Sequence, residues 1–162
     1  MGYRDMVLFV GNDELGISLK TAPEQVAWYI DESTSVQVYD YWSNSWCTHF
    51  VYWVLDRAGM RGQVAKTPLG TKSVSRFWDS FSVTSSPRPG DLYYMKTVGG
   101  KTTHHIGIVS DVYSDVIESL DGNSGDWKDP ATDWTHLGGG MVCNNYRWIK
   151  EVTTFLQLTP DD

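Results

Sequence analysis

One segment constrains the fold more than any other: Trp46–Met60, WCTHFVYWVLDRAGM, in which Cys47, Val51, Val54, Leu55 and Ala58 recur at helical spacing and form one apolar stripe. Ser45 or Asn44 is placed to cap its start, and Gly59 suits the left-handed residue that ends such a helix. A shorter helix is predicted over Pro23–Ile30, with Val26, Ala27 and Ile30 on one face and Thr21 as a cap ahead of it. The pattern then changes. PRPGD at Pro87–Asp91 marks a tight turn, and Asp91–Lys96, His105–Val112 and Asp115–Leu120 read as a meander of strands, the last two linked through Tyr113 and Ser114. Tyr146–Ile149 and Val152–Leu158 offer two closing strands. Between these elements, Asp31–Ser45 reads as a loop and Arg61–Ser86 as a connection with a short helix around Val74, Phe77 and Trp78. Gly and Asp dominate Asp121–Gly140. Helices first and an antiparallel sheet afterwards make this an α+β chain, and 162 residues suit a single domain spanning 1–162.

The formal net charge of -7 gives no basic surface for nucleic acid or an anionic membrane. No apolar run approaches the roughly 20 residues of a membrane span, and Met1–Val10 carries Arg4 and Asp5 around a stretch too short for a secretory core. The expectation is therefore a protein made in the cytoplasm without a signal peptide. Two cysteines, Cys47 and Cys143, are too few for a disulfide framework, so stability must come from a core, for which 41% apolar content suffices.

Cys47 falls at the first turn of the strongest helix, where unpaired N–H groups and the helix dipole favour a thiolate over a thiol. In the strand that follows, alternation puts His105, Gly107 and Val109 on one side and His104, Ile106 and Ile108 on the other. Gly107, lacking a side chain, leaves room beside His105 for a helix or substrate to approach closely. A Cys–His pair needs a third polar group to orient the imidazole, and VIESLDGNSG supplies Asp121 and Asn123 on one face, with Glu118 opposite and Gly122 and Gly125 marking the strand's end. His49 lies two residues from Cys47 and points away from it, and C-x-H on a helix does not match zinc-ligand spacing, so no metal or cofactor is expected. His136 with Gly138, Gly139 and Gly140 reads as a loop, since no G-x-S-x-G elbow accompanies it.

Four pieces in this order, SWCTHFVYWVLDRAGM, PRPGDLYYM, HIGIVSDV and VIESLDGNSG, resemble the CHAP family of cell-wall amidases and endopeptidases, within the papain-like group that also holds the NlpC-type peptidases. They cover roughly residues 45–125. The resemblance implies a papain-like fold and hydrolysis of amide or peptide bonds in peptidoglycan. Cys47 would be the nucleophile and His105 its base, with Asp121 orienting the imidazole and Asn123 assisting. The family usually carries Glu-x-Asn where this chain has Asp-Gly-Asn, which leaves the third role open between the two. The Cys47 N–H is the natural oxyanion donor, with Asn44 or Tyr41 as a further candidate. Trp46 and Trp127 are expected to form groove walls against substrate, and Trp42 and Trp134 also flank the site in sequence.

A phage lysis enzyme or an antibacterial effector injected into rivals would fit this pattern, acting on the wall after delivery, and the second implies a cognate immunity protein. A monomer is expected. Two alternatives remain open on sequence alone: a papain-like protein deamidase or acyltransferase, and a glycan-binding module in which Cys47 is merely buried.

Overall fold

The structure, a computed structural model, describes residues 1–18, 21–34, 46–60, 81–98, 101–124 and 140–158. Among them are helices α1 (Tyr3–Asp13), α2 (Pro23–Thr34) and α3 (Cys47–Arg57). The strands are β1 (Ser82–Thr84), β2 (Leu92–Val98), β3 (Lys101–Val112), β4 (Val116–Ser124), β5 (Met141–Trp148) and β6 (Thr154–Gln157), with a 3-10 turn at Ile149–Glu151. They form one sheet in the order β1-β6-β2-β3-β4-β5, and the paired ladders are antiparallel. The predicted meander is β2–β3–β4, and the α+β order read from the sequence is the one observed. Among the described residues no helix is long and apolar enough to cross a membrane.

Helix α3 is the hub. Its predicted stripe of Cys47, Val51, Val54, Leu55 and Ala58 is buried, but so are Thr48, His49, Phe50 and Trp53 on its other sides. The reason is that α3 lies between layers: α1 and α2 contact it, and so do β3 and β4. From α2, Tyr29 meets Trp53 edge-on at 5.0 Å and Phe50 at 5.4 Å. Leu92, Tyr94, Ile106, Ile108, Leu120 and Leu156 complete this core from the sheet. The opposite sheet face carries a second apolar group of Tyr93, Met95, Val109, Ile117 and Phe155. Period-two alternation therefore buries β3 on both sides from His105 to Val109.

Four details depart from the sequence expectations. Helix α1 carries no clean periodic signal, because Met6–Val10 is apolar throughout. It is fixed by Val7, buried in the main core, and by Arg4, whose guanidinium pairs with Asp91 and donates to the Leu158 carbonyl at 3.0 Å. The N-cap of α3 is Trp46, which makes no side-chain cap bond; Asn44 and Ser45 lie outside the described residues. Strand β1 was not anticipated and pairs with the distant β6. Strand β4 does not end at Gly122 but runs on to Ser124, because β5 continues to pair with it through a register shift between Asp121 and Ser124. The predicted helix around Val74, Phe77 and Trp78 lies outside the described residues.

Candidate active site

Cys47 is the first residue of α3, and the first helical bond runs from the Phe50 N–H to the Trp46 carbonyl at 2.9 Å. The N–H groups of Cys47, Thr48 and His49 thus have no acceptor within the helix and, with no side-chain cap from Trp46, leave the positive end of the helix dipole at the thiol. Close approach of the helix to the sheet is set at Gly122 of β4. A Cβ there would lie 2.5 Å from the Phe50 Cβ and 2.6 Å from its ring, so only glycine lets this turn of α3 settle against the strand. The β3–β4 ladder pairs Val112 with Ile117 at one end and Ile108 with Leu120 at the other, and Gly122 lies just past that second pair, toward His105.

His105 lies on the sheet face that also holds Tyr93 and Asp121, while Ile106 and Ile108 face the α3 core. Its Nε2 is 3.3 Å from Asp121 Oδ1, close enough for charge attraction although not aligned as a full hydrogen bond. Such contacts tighten when substrate binds. With Nε2 turned to Asp121, Nδ1 is the ring nitrogen left for the thiol. Burial works to keep the imidazole neutral, but its pairing with Asp121 and with Cys47 outweighs burial and pushes the pKa up to about 9.

Asp121 is fully buried, and both of its carboxylate oxygens accept hydrogen bonds. Oδ1 accepts from the Tyr93 hydroxyl as well as facing His105. Oδ2 accepts from Asn145 Nδ2 at 2.7 Å, Ser119 Oγ at 2.8 Å and Arg147 Nη2 at 3.1 Å. Burial alone would raise the carboxyl pKa; the Arg147 charge, followed by the His105 and Tyr93 interactions, reverses this and holds it well below the usual carboxylate range. The room for this arrangement comes from Gly107: a Cβ there would fall onto Asp121 Oδ1 and lie 2.6 Å from the Tyr93 ring. The neighbour that Gly107 admits beside His105 is thus Asp121 with Tyr93, rather than a helix or substrate.

The structure brings Cys47, His105 and Asp121 together. Asn123 lies two residues past Asp121 near the end of β4. It adopts φ +54 inside the β4 register shift, and its side chain packs over Gly140, where a Cβ would collide with it. Trp46, expected as a groove wall, is fully buried and stacked on Tyr29 at 5.9 Å. Tyr41, Trp42, Asn44, Trp127, Trp134 and His136 lie outside the described residues. Sequence reasoning missed Tyr93, Ser119, Asn145 and Arg147. One signal was available: alternation along β5 puts Cys143, Asn145 and Arg147 on a common side with Tyr146 and Trp148 opposite, and the polar side is the buried one.

A family model described as CHAP domain matches residues 39–123, a span that contains Cys47, His105 and Asp121. No curated protein matches the chain.

Proposed function

The chain belongs to the CHAP family, with the α+β architecture of its papain-like fold, and on that premise we propose that it is a cysteine hydrolase of bacterial peptidoglycan. The observation that carries this reading is the buried row of Cys47, His105 and Asp121, within the matched segment, at the N-terminus of a helix. In the mechanism it supports, the Cys47 thiolate attacks the carbonyl carbon of an amide or peptide bond, and the oxyanion forms beside the Cys47 N–H. The His105 imidazolium gives its proton to the leaving amine as the C–N bond breaks, leaving a thioester on Cys47. Water then attacks the thioester and gives a proton to His105. The C–S bond breaks, a carboxylic acid leaves, and the thiolate–imidazolium pair is restored. Asp121 positions the ring, and Asn123 is the candidate to assist from the end of the strand.

Within this reading the enzyme is a phage lytic enzyme or an injected antibacterial effector. An injected effector implies an immunity protein that occupies the groove in the producing cell. Digestion of purified peptidoglycan by wild type and by Cys47→Ala, with soluble products identified by mass spectrometry, tests the proposal. Fragments from wild type alone, with masses that identify an amide or peptide bond, are the expected result; no release by either protein from several wall types overturns it.

A further inference from the structure

We propose that Arg147 and Tyr93 are positioning residues of this site, which hold Asp121 as a buried carboxylate with its Oδ1 kept on His105. The inference rests on the cysteine-hydrolase reading, since it concerns the same row of groups, and it adds two residues, from β5 and β2, that lie outside the Cys–His–acid pattern.

The geometry divides the carboxylate into two ends with different duties. A carboxylate offers about four lone-pair sites. Here Oδ2 takes Ser119, Asn145 and Arg147, while Oδ1 takes the Tyr93 hydroxyl and faces His105. The first end anchors Asp121 to β4 and β5, and the second presents it to β3. Arg147 ties both ends together: Nη2 bonds Oδ2 at 3.1 Å, and Nε donates to the Tyr93 oxygen at 3.3 Å. That two-pronged contact uses the planar fork of a guanidinium, which an ammonium does not reproduce.

Charge balance gives the reason for placing an arginine at 6% exposure inside a sheet. The reactive form of the site is a thiolate, an imidazolium and a carboxylate, which together carry one net negative charge. Arg147 makes the row neutral, with signs alternating from Cys47 through His105 and Asp121 to Arg147. Among the described residues, two further titratable groups that face Asp121 stay neutral near pH 7. Tyr93 on β2 is pushed well above its ordinary value by burial, and Cys143, opposite Asp121 on β5, is pushed up to about 11 by burial and by the Asp121 charge. Without Arg147, burial drives Asp121 toward its neutral acid, the imidazolium loses its counter-charge, and the thiolate forms only at higher pH.

The test reads Cys47 directly and needs no wall substrate. The rate of iodoacetamide alkylation is followed from pH 4 to 9 in the full chain, with the modified cysteine identified by mass spectrometry and folding checked by circular dichroism. Arg147→Met is expected to move the acid limb upward by about one pH unit, which makes Cys47 about tenfold less reactive near pH 5. Arg147→Lys keeps the charge and restores part of the limb without the fork. Tyr93→Phe removes one oxygen and moves the limb the same way, by about threefold in rate at that pH. A folded Arg147→Met with the wild-type profile overturns the proposal, and if that variant does not fold, an unmoved limb in Tyr93→Phe overturns it instead. Wild-type Cys47 that alkylates no faster than Cys143 sinks the cysteine-hydrolase reading itself. An intact alkylation profile in a protein that releases nothing from peptidoglycan sinks only the choice of substrate.

Discussion

Gly107→Ala adds a single methyl group at the point where the site is most tightly packed. The new Cβ would fall on Asp121 Oδ1 and lie 2.6 and 3.0 Å from two carbons of the Tyr93 ring. Neither neighbour can yield cheaply, since Tyr93 is fully buried in the second apolar group and Asp121 is held by donors from three strands. Overpacking of this kind costs about 1–3 kcal/mol. If Asp121 is the group that moves, the charged hydrogen bond from Tyr93 is lost as well, at about 1.5–3 kcal/mol. Replacing glycine inside a strand returns about 0.5–1 kcal/mol of backbone entropy. The net destabilisation is about 3 kcal/mol, which for a chain of this length lowers Tm by about 6–12 °C. Activity should suffer beyond stability, because displacement of Asp121 frees the His105 ring; misplacement by about 1 Å at a reacting group can cost about 100-fold in rate. Thermal melts and turnover on purified peptidoglycan, measured well below the lowered Tm, separate the two effects. A Gly107→Ala protein with wild-type Tm and wild-type turnover would refute the argument that this glycine exists to seat Asp121 against His105.

Turnover should fall as pH rises through about 9, where His105 loses the proton it gives to the leaving amine, and Asp121→Asn should move that fall to lower pH because burial then dominates; kcat from pH 6 to 10 checks both. The sign for stability follows from the same raised value. His105 contributes stability that is complete below its ordinary 6.5 and is lost as pH rises through about 9, so His105→Ala should flatten that part of the pH dependence of Tm. Arg4→Ala removes the guanidinium that joins α1 to Asp91 and to the Leu158 carbonyl, and it should cost about 2–4 kcal/mol in urea unfolding, leaving the buried Asp91 carboxylate short of a counter-charge. It should leave the pH profile of turnover where it is, since the pairing it removes, to Asp91 and the Leu158 carbonyl, is made outside the Cys47–His105–Asp121 row.

Whatever is encoded within a single element was legible in the order of residues alone. Helical spacing located α3 and put Cys47 in its first turn; period-two alternation placed His105 with Gly107 and Val109; and the run of strands after a Pro–Gly turn established the α+β order. These are local patterns, in which each residue's face follows from its neighbours a few positions away. The tertiary structure decided whatever depends on which distant segments meet. Asp121 lies against His105, and just past it the β4–β5 register shifts where Asn123 takes a positive φ. Trp46 is buried in the core, where Tyr29 of α2 stacks across it. Tyr93, Asn145 and Arg147 come from residues 28, 24 and 26 positions away from Asp121, and they converge on it only once three ladders are in register. Ladder register is a property of pairs of strands, and no periodicity within one strand contains it.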